Sequence, residues 1–376
     1  MYRHFLSLDY QILGVIRVAY FLHSRNVAVA LVESMPTHCS VARYGCGILV
    51  KLANNTVKYN VMGQLIEGIW HADGVIPIAK DGQFIRKDSV FRHWIGEPRF
   101  PAEPGRYCLY VSLACPWAHR TLIMRRLKQL ESVIDVVVVD AYMGELGWSF
   151  STEHPDPLYG YHYLQQLYTR ADPRCTTKVT VPVLWDKQEH TIVSNESSEI
   201  MRMLNRHFDA WGAADRDFYP VDLREDIDAI NAEIYEPVNN GVYRSGFAMS
   251  QKAYDAAVNT LFTALDRLEH RLAKQRYLLG ERITEADWRL FTTLVRFDSV
   301  YHCHFKCNRR QLTDYPALWA YTRELYQWPG VAETVNFEHI KTHYYTSHPQ
   351  INPTRIVPLG PVLDFDAPHH RERLNR

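Results

Sequence analysis

The chain has 376 residues, enough for two cores of ordinary domain size. Its 42 basic and 42 acidic side chains cancel to a formal charge of zero, so no basic excess points to nucleic acid or an anionic membrane surface. Seven cysteines, odd in number and scattered from Cys39 to Cys307, do not read as a disulfide framework and favour free thiols in a reducing, cytoplasmic compartment. Residues 10–32 are fairly apolar, but Arg17, His23 and Arg25 interrupt them before a membrane-spanning length of about 20 residues is reached. Acidic residues are scarce there, and Arg3, Arg17 and Arg25 lend a weak transit-peptide character. Residues 1–61 are therefore read as an extension, disordered or lying ahead of a mis-assigned start at Met62, with mitochondrial or plastid targeting as the alternative.

Residues 62–105 are polar, rich in turn residues and patchily aromatic (Trp70, Phe84, Phe91, Trp94), as an extended arm wrapping something larger would be. Residues 106–210 hold the pieces of an α/β unit. A strand is expected at 107–111, a helix at 115–130 and a β-branched strand at 134–139. An irregular stretch follows at 140–177, with Gly144, Gly147, Pro155, Pro157 and Gly160, and a loop of that length usually carries function. A hairpin at 180–185 and 190–194 and a helix at 196–208 complete the unit. Residues 221–346 turn helical, with helices expected at 223–235, 251–272, 286–300 and 315–327. Thr284-Glu-Ala-Asp287 reads as a capping box before the third. Residues 347–376, with Pro349, Pro353, Pro358 and Pro361, read as an extended tail.

The segment Tyr107-Cys-Leu-Tyr-Val-Ser-Leu-Ala-Cys-Pro-Trp-Ala-His-Arg120 carries the chemistry. Pro116 suits the first position of a helix, because its fixed φ fits there and its missing N–H has no intrahelical partner anyway. Cys115 then sits where unpaired N–H groups and the helix dipole favour a thiolate, the nucleophilic form. Ala118 stands where a C-x-x-C site has its second cysteine, so the disulfide partner of Cys115 must come from outside. Cys108, in the preceding strand, reads as a small buried hydrophobe. Pro182 before a strand cannot donate to a ladder and marks a strand start or bend, possible as a cis bond. A thioredoxin-like fold places such a proline opposite its reactive cysteine, and the order β-α-β, insert, β-β-α is that fold's order. The cluster His302, Cys303, His304 and Cys307 has no second C-x-x-C pair and falls near a helix end, so no metal is expected. His119, one turn beyond Cys115, reads as packing.

A thioredoxin-like domain with a single helix-start cysteine, followed by helices, resembles a glutathione transferase. Seven motifs narrow the resemblance: Met62-Gly-Gln-Leu-Ile-Glu-Gly-Ile-Trp70, Ser112-Leu-Ala-Cys-Pro-Trp-Ala-His-Arg120, Val181-Pro-Val-Leu-Trp-Asp186, Ile192-Val-Ser-Asn-Glu-Ser197, Asn239-Asn-Gly-Val-Tyr243, His343-Tyr-Tyr345 and Ile351-Asn-Pro-Thr-Arg-Ile-Val-Pro358. They resemble, in order, those of the glutathionyl-hydroquinone reductases, the xi class of glutathione transferases. The resemblance implies an α/β thioredoxin-like N-terminal domain plus an all-α C-terminal domain, the glutathione transferase fold. It implies removal of glutathione from glutathionyl-hydroquinones by a second glutathione, through a Cys115–glutathione mixed disulfide and ping-pong kinetics.

The same resemblance assigns roles. Tyr243 is expected to be the general acid, with Tyr301 and Tyr344 lining the site and lowering the Cys115 pKa by hydrogen bonding. Glutathione is expected to meet Trp148, Lys178, Val179, Thr180, Val181, Pro182, Glu196 and Ser197. Val181 would offer its backbone as to an added strand, and Lys178 would meet the glycyl carboxylate. Glutathione enters as co-substrate with no bound cofactor, and a homodimer that engages neither nucleic acid nor membrane is expected. An omega-like thioltransferase or dehydroascorbate reductase would share the Cys115 chemistry, and a non-catalytic glutathione-binding redox sensor would share the fold.

Overall fold

A computed structural model describes residues 18–23, 26–32, 41–44, 47–50, 63–74 and 76–374. The chain divides into two units, Met1–Tyr59 and Asn60–Arg376. In the first unit the described backbone forms two antiparallel hairpins, Val18–His23 with Asn26–Val32 and Val41–Tyr44 with Gly47–Val50. The expectation of a targeting segment or a mis-assigned start falls for the rest on residues outside those described.

The second unit opens with a two-stranded hairpin, Gln64–Ile66 and Ile69–His71. Its turn is Glu67-Gly68, with φ of 48° and 76°, and two successive positive φ values match the right-handed twist of the flanking strands. A Cβ at residue 68 would lie 1.9 Å from Pro173 O, so only glycine fits. The hairpin joins the insert through Leu65 and Thr177, which exchange backbone hydrogen bonds of 2.9 and 3.0 Å. Further along, Asn195 N–H donates to Phe91 O and His93 N–H to Val193 O, so the chain at Phe91–His93 lies along the edge of the sheet.

The central sheet has four strands: β1 (Tyr107–Val111), β2 (Asp135–Val138), β3 (Val183–Asp186) and β4 (Thr191–Ser194). Their spatial order is β4-β3-β1-β2, with β1 and β2 parallel and the other pairs antiparallel. Every residue of β1 and β3 is buried, as central strands covered on both faces must be. Between them run α1 (Pro116–Leu127) and, inside the long insert, α2 (Leu164–Ala171); α3 (Ser197–Arg206) follows β4. Insertion of α2 between β2 and β3, with α1 packed on α3, is the thioredoxin-like arrangement.

The remaining helices are α4 (Arg224–Ile234), α5 (Gly241–Gly246), α6 (Gln251–Leu272), α7 (Glu285–Leu294), α8 (Pro316–Tyr326) and α9 (Phe337–Ser347). α6 has the boundaries its apolar periodicity implies, and its start is fixed by Ser250, whose hydroxyl accepts from Ala253 N–H. The Thr284 box forms, with Thr284 N–H donating to Asp287 Oδ2 at 2.8 Å. The helix expected at 286–300 is not continuous. α7 ends at Leu294, and a π-turn over Phe297–Tyr301 widens the path; a second π-turn, Tyr235–Asn239, separates α4 from α5. Such wide turns rotate the side chains that follow them and recur at functional sites. The short α2 and α5, and α9 just before the tail, lack a long apolar period and do not stand out in the sequence. The tail from His348 is extended, with a short helical turn at Arg371–Leu374. Among the described residues no helix is long and apolar enough to cross a membrane.

At the C-terminal end of α9 three histidines are buried together, His343 on the helix, His348 at its C-cap and His304 against them. His304 Nε2 and His348 Nδ1 lie 3.1 Å apart, and His343 Nδ1 is 2.9 Å from Ala141 O. Burial holds all three imidazoles neutral, pushing each down to about 3. The unfolded chain takes up protons on these groups below about pH 6.5, where the fold does not. Stability is therefore lost as pH falls from 6.5 towards 3, and the urea unfolding midpoint is expected to drop between about pH 7 and about pH 5. An unchanged midpoint would show that the folded cluster accepts protons.

Candidate active site

Cys115 is the N-cap of α1, in extended conformation, with Pro116 at the first helical position. Cys115 N–H donates to Ser112 O at 3.1 Å, and His119 N–H returns to Cys115 O at 2.9 Å, so the loop turns directly into the helix. The thiol is partly exposed and reaches Val181 O at 3.5 Å, across from the cis Val181–Pro182 bond. The expected opposition of cysteine and cis-proline is therefore present. Cys108 is fully buried, and desolvation pushes its thiol up to about 12, as a packing residue requires.

The electrostatics of Cys115 differ from the expectation. Crowding by protein raises its pKa, opposed by the Ala118 and Trp117 N–H groups and then by the charges of Arg296 and Arg86. These two N–H groups belong to the first turn of α1, so the helix end turns its unpaired donors towards the sulfur. Among the described residues the tyrosine hydroxyls do not bond the sulfur. Tyr344 OH sits between Tyr243 OH at 2.5 Å and Tyr301 OH at 3.1 Å, forming a chain of three phenols. Burial raises all three, Tyr301 to about 12, so each is a proton donor at neutral pH. A charge on Cys115 would push Tyr243 and Tyr301 higher still, which puts sulfur and phenols in one field. Aromatic rings enclose the chain: Phe305 stacks on Tyr301 at 5.6 Å, and Trp117 lies 6.4 Å from Tyr243.

The other expected residues fall into two groups. Glu196 caps α3, its Oε1 accepting from Ser198 N–H and Oγ–H and its Oε2 from Ser89 of the arm. Burial works against the charged form, but these donors and Arg120 outweigh it and hold the carboxyl below its usual range. Ser197 Oγ accepts from Arg120. Lys178, Val179 and Thr180 lead into Val181; Thr180 is exposed, and burial followed by the charge of Lys87 lowers Lys178 to about 8. Trp148 belongs to a small hairpin, Met143–Gly144 with Gly147–Trp148, where it is buried and stacked on His343 at 4.8 Å. It therefore buttresses α9 beside Tyr344. Of the residues with metal-ligating side chains, His304 turns to His348 and the Cys307 thiol to Phe305 O, while Cys303 stays exposed.

Three arginines escaped the sequence reading, because arginine is ordinarily a surface residue and no spacing marks a buried one. Arg86, from the arm, donates to Asn240 Oδ1 and lies over the rings of Trp117 (4.8 Å) and Tyr243 (5.0 Å). Arg120 lies over Trp117 at 4.4 Å. Arg296, after α7, is fully buried and donates to Ala114 O, Leu113 O and Thr292 O at 2.8, 3.0 and 2.8 Å. Its Nη1 also meets His119 Nδ1 at 3.0 Å, and His119 Nε2 meets Thr334 Oγ1 at 2.8 Å. Burial, with the charge of Arg296, keeps His119 neutral, so the relay runs Arg296 to His119 to Thr334 and packing is the role of this imidazole. Arg296→Met would leave two loop carbonyls without donors and is expected to lower the unfolding free energy by about 3 kcal/mol, measured by urea denaturation.

The glutathione S-transferase N-terminal domain family matches residues 114–207, and the glutathione S-transferase C-terminal domain family matches residues 251–324. The glutathionyl-hydroquinone reductase YqjG of Escherichia coli K12 is 54% identical over 324 residues, 83% of this chain and 99% of that protein. The xi class glutathione transferase of Natrialba magadii superposes with a TM-score of 0.79 at 51% identity, over 84% of this chain and 98% of that one. The glutathione-bound structure of E. coli YqjG superposes with a TM-score of 0.76 at 52% identity, over 82% and 99%. With identity above half along nearly the whole of these relatives, a two-domain fold and the cysteine at the helix start, the chain belongs to the glutathionyl-hydroquinone reductases, the xi class of glutathione transferases.

Proposed function

We propose that this protein reduces glutathionyl-hydroquinones to hydroquinones, with glutathione as co-substrate and oxidised glutathione as the second product. One observation carries the reading: a single cysteine at a helix start, without a resolving partner on its helix, shares one electrostatic field with a buried chain of protonated phenols enclosed by aromatic rings. The Cys115 thiolate attacks the sulfur of the conjugate. The carbon–sulfur bond to the ring breaks, the ring carbon takes a proton, and Cys115 and glutathione share a disulfide. A second glutathione thiolate attacks that disulfide, releases oxidised glutathione and restores the Cys115 thiolate. Atoms and electrons balance: one conjugate and one glutathione give one hydroquinone and one disulfide.

The ring carbon is a poor leaving group unless it is protonated as the bond breaks. Tyr243 suits that task. If Tyr344 donates to Tyr243, the Tyr243 proton is left for an acceptor in the cleft, and Tyr301 holds the far end of the chain. Arg86 and the α1 N-terminus favour the sulfur anion, while burial keeps the resting thiol protonated. Glutathione would then lie with its backbone against Val181 and Pro182, Glu196 and Ser197 at its γ-glutamyl end, and Lys178 with Val179 and Thr180 near its glycyl end. Trp148 supports the pocket from behind, through α9.

Incubation with glutathionyl-menadiol and excess glutathione, followed by chromatography, is expected to yield menadiol and oxidised glutathione in equal amounts. Cys115→Ser should abolish both, and retained turnover would remove Cys115 as nucleophile. Tyr243→Phe should slow hydroquinone release at least about 100-fold while leaving thiol exchange less affected. Equal losses in the two half-reactions would end its role as acid. Dehydroascorbate reduction without menadiol release would instead place the activity with an omega-like thioltransferase.

The free cysteines among the described residues support a cytoplasmic setting. Apolar side chains exposed on the tail, Leu359 and Val362 at 99%, support a homodimer, for which light scattering should give twice the chain mass. A monomeric mass at assay concentration would rule the homodimer out.

A further inference from the structure

Beneath the first turn of α3 lie two guanidinium groups that the chemistry at Cys115 does not use. Arg120, on α1, is 1% exposed, and its Nη1 donates to Ser197 Oγ at 3.4 Å. Its Nε is buried with no hydrogen-bond partner. Arg289, on α7, also has a buried Nε without a partner, and its charge opposes that of Arg120. A buried cation ordinarily has a carboxylate against it, because desolvation is otherwise uncompensated.

The nearby carboxylates are committed elsewhere. Glu285 accepts from Arg202 Nε and Nη2 and from Asn231 Nδ2, and reaches Arg289 Nη1 only at 3.6 Å. Both oxygens of Glu196 are taken by Ser198 and Ser89. Arg120 therefore forms no direct ion pair among the described residues; burial together with Arg289 depresses it to about 9, and the more distant charge of Glu196 offsets this only in part. The N-terminus of α3 adds N–H groups without intrahelical acceptors to the same spot. An oxygen that accepts from Arg120 also directs its own proton away from it. Ser197 Oγ is thus set as a donor towards the cleft.

Taking glutathione as the co-substrate, we propose that Arg120, backed by Arg289, is the positioning residue for the α-carboxylate of its γ-glutamyl group. Arg120 holds Ser197 as a donor to that carboxylate, and the carboxylate adds a second negative charge, beside that of Glu196, to a spot that holds two buried guanidinium groups. The co-substrate is thereby selected by an anionic γ-glutamyl end, not by its thiol alone.

Calorimetric titration of the full-length protein with two ligands tests this. One is S-methylglutathione; the other is its 4-aminobutyryl analogue, identical except that the α-carboxylate is missing. The wild type is expected to bind the analogue on the order of 100-fold more weakly. Arg120→Met should weaken S-methylglutathione by a similar factor, yet separate the two ligands by less than about fivefold. Arg120→Lys, which keeps the charge but loses the planar fork, should discriminate between these limits. In turnover, the loss should fall on the KM for glutathione more than on kcat. Discrimination by Arg120→Met equal to that of wild type, or none in wild type, would overturn the proposal. If Arg120→Met fails to fold, Arg120→Lys and Ser197→Ala are read by the same ratio, and undiminished discrimination in both would overturn it. Because binding is measured without a hydroquinone, failure of the reductase reading would leave this result standing.

Discussion

Arg296 sits where the two domains meet, and the geometry of the cysteine depends on it. Its guanidinium comes from the helical domain, yet it donates to Leu113 O and Ala114 O in the loop of the thioredoxin-like domain that delivers Cys115. A fully buried cation is tolerated there because its donors meet carbonyls, an imidazole nitrogen and its own helix, and each of these bonds gains from the low local dielectric. The neutral His119 carries the same fixation on to Thr334. The loop that carries Cys115 is thus held by neighbours from both domains.

The same interface explains how opposing demands are met in one cleft. A general acid must keep its proton until the ring needs it, and burial of Tyr243, Tyr301 and Tyr344 ensures that. A nucleophile must lose its proton, and the same burial works against Cys115. The helix end, Arg296 and Arg86 oppose that penalty at the sulfur, whereas at the phenols burial outweighs the pull of the same two arginines. In the proposed mechanism, distinct environments let one thiol and one phenol play opposite parts, as enzymes that divide acid and base roles commonly do. The arm of residues 62–105 takes part as well. It contributes Arg86 over Trp117 and Tyr243, and Ser89 on Glu196, so an apparently accessory segment touches both ends of the site.

Much of this was legible in the residues. The strands of the sheet, α1, α3 and α6 follow from period-two and period-3.6 apolar patterns, and the capping residues Ser250 and Thr284 mark helix starts through local chemistry. The helices that sequence reading passed over, α2, α5 and α9, are too short or too mixed to carry a period, and they form because neighbours bury one face. The π-turn over Phe297–Tyr301 was read as continuous helix, since one extra residue in a turn leaves no trace in composition. Resemblance assigns Trp148 to glutathione, and the fold adds a partner that no pattern shows, the His343 ring stacked on it.

The sequence by itself determined that Cys115 opens a helix just ahead of Pro116 and lacks a partner thiol at Ala118, because these are properties of neighbouring residues. Only the tertiary structure decided that three tyrosines from different helices share one hydrogen-bonded chain, and that Arg86, Arg120 and Arg296 lie buried or stacked beside them. The physical reason is range. Periodicity, capping and turn chemistry act over a few residues, whereas desolvation and charge act between groups that are far apart in the chain and adjacent only after it has folded.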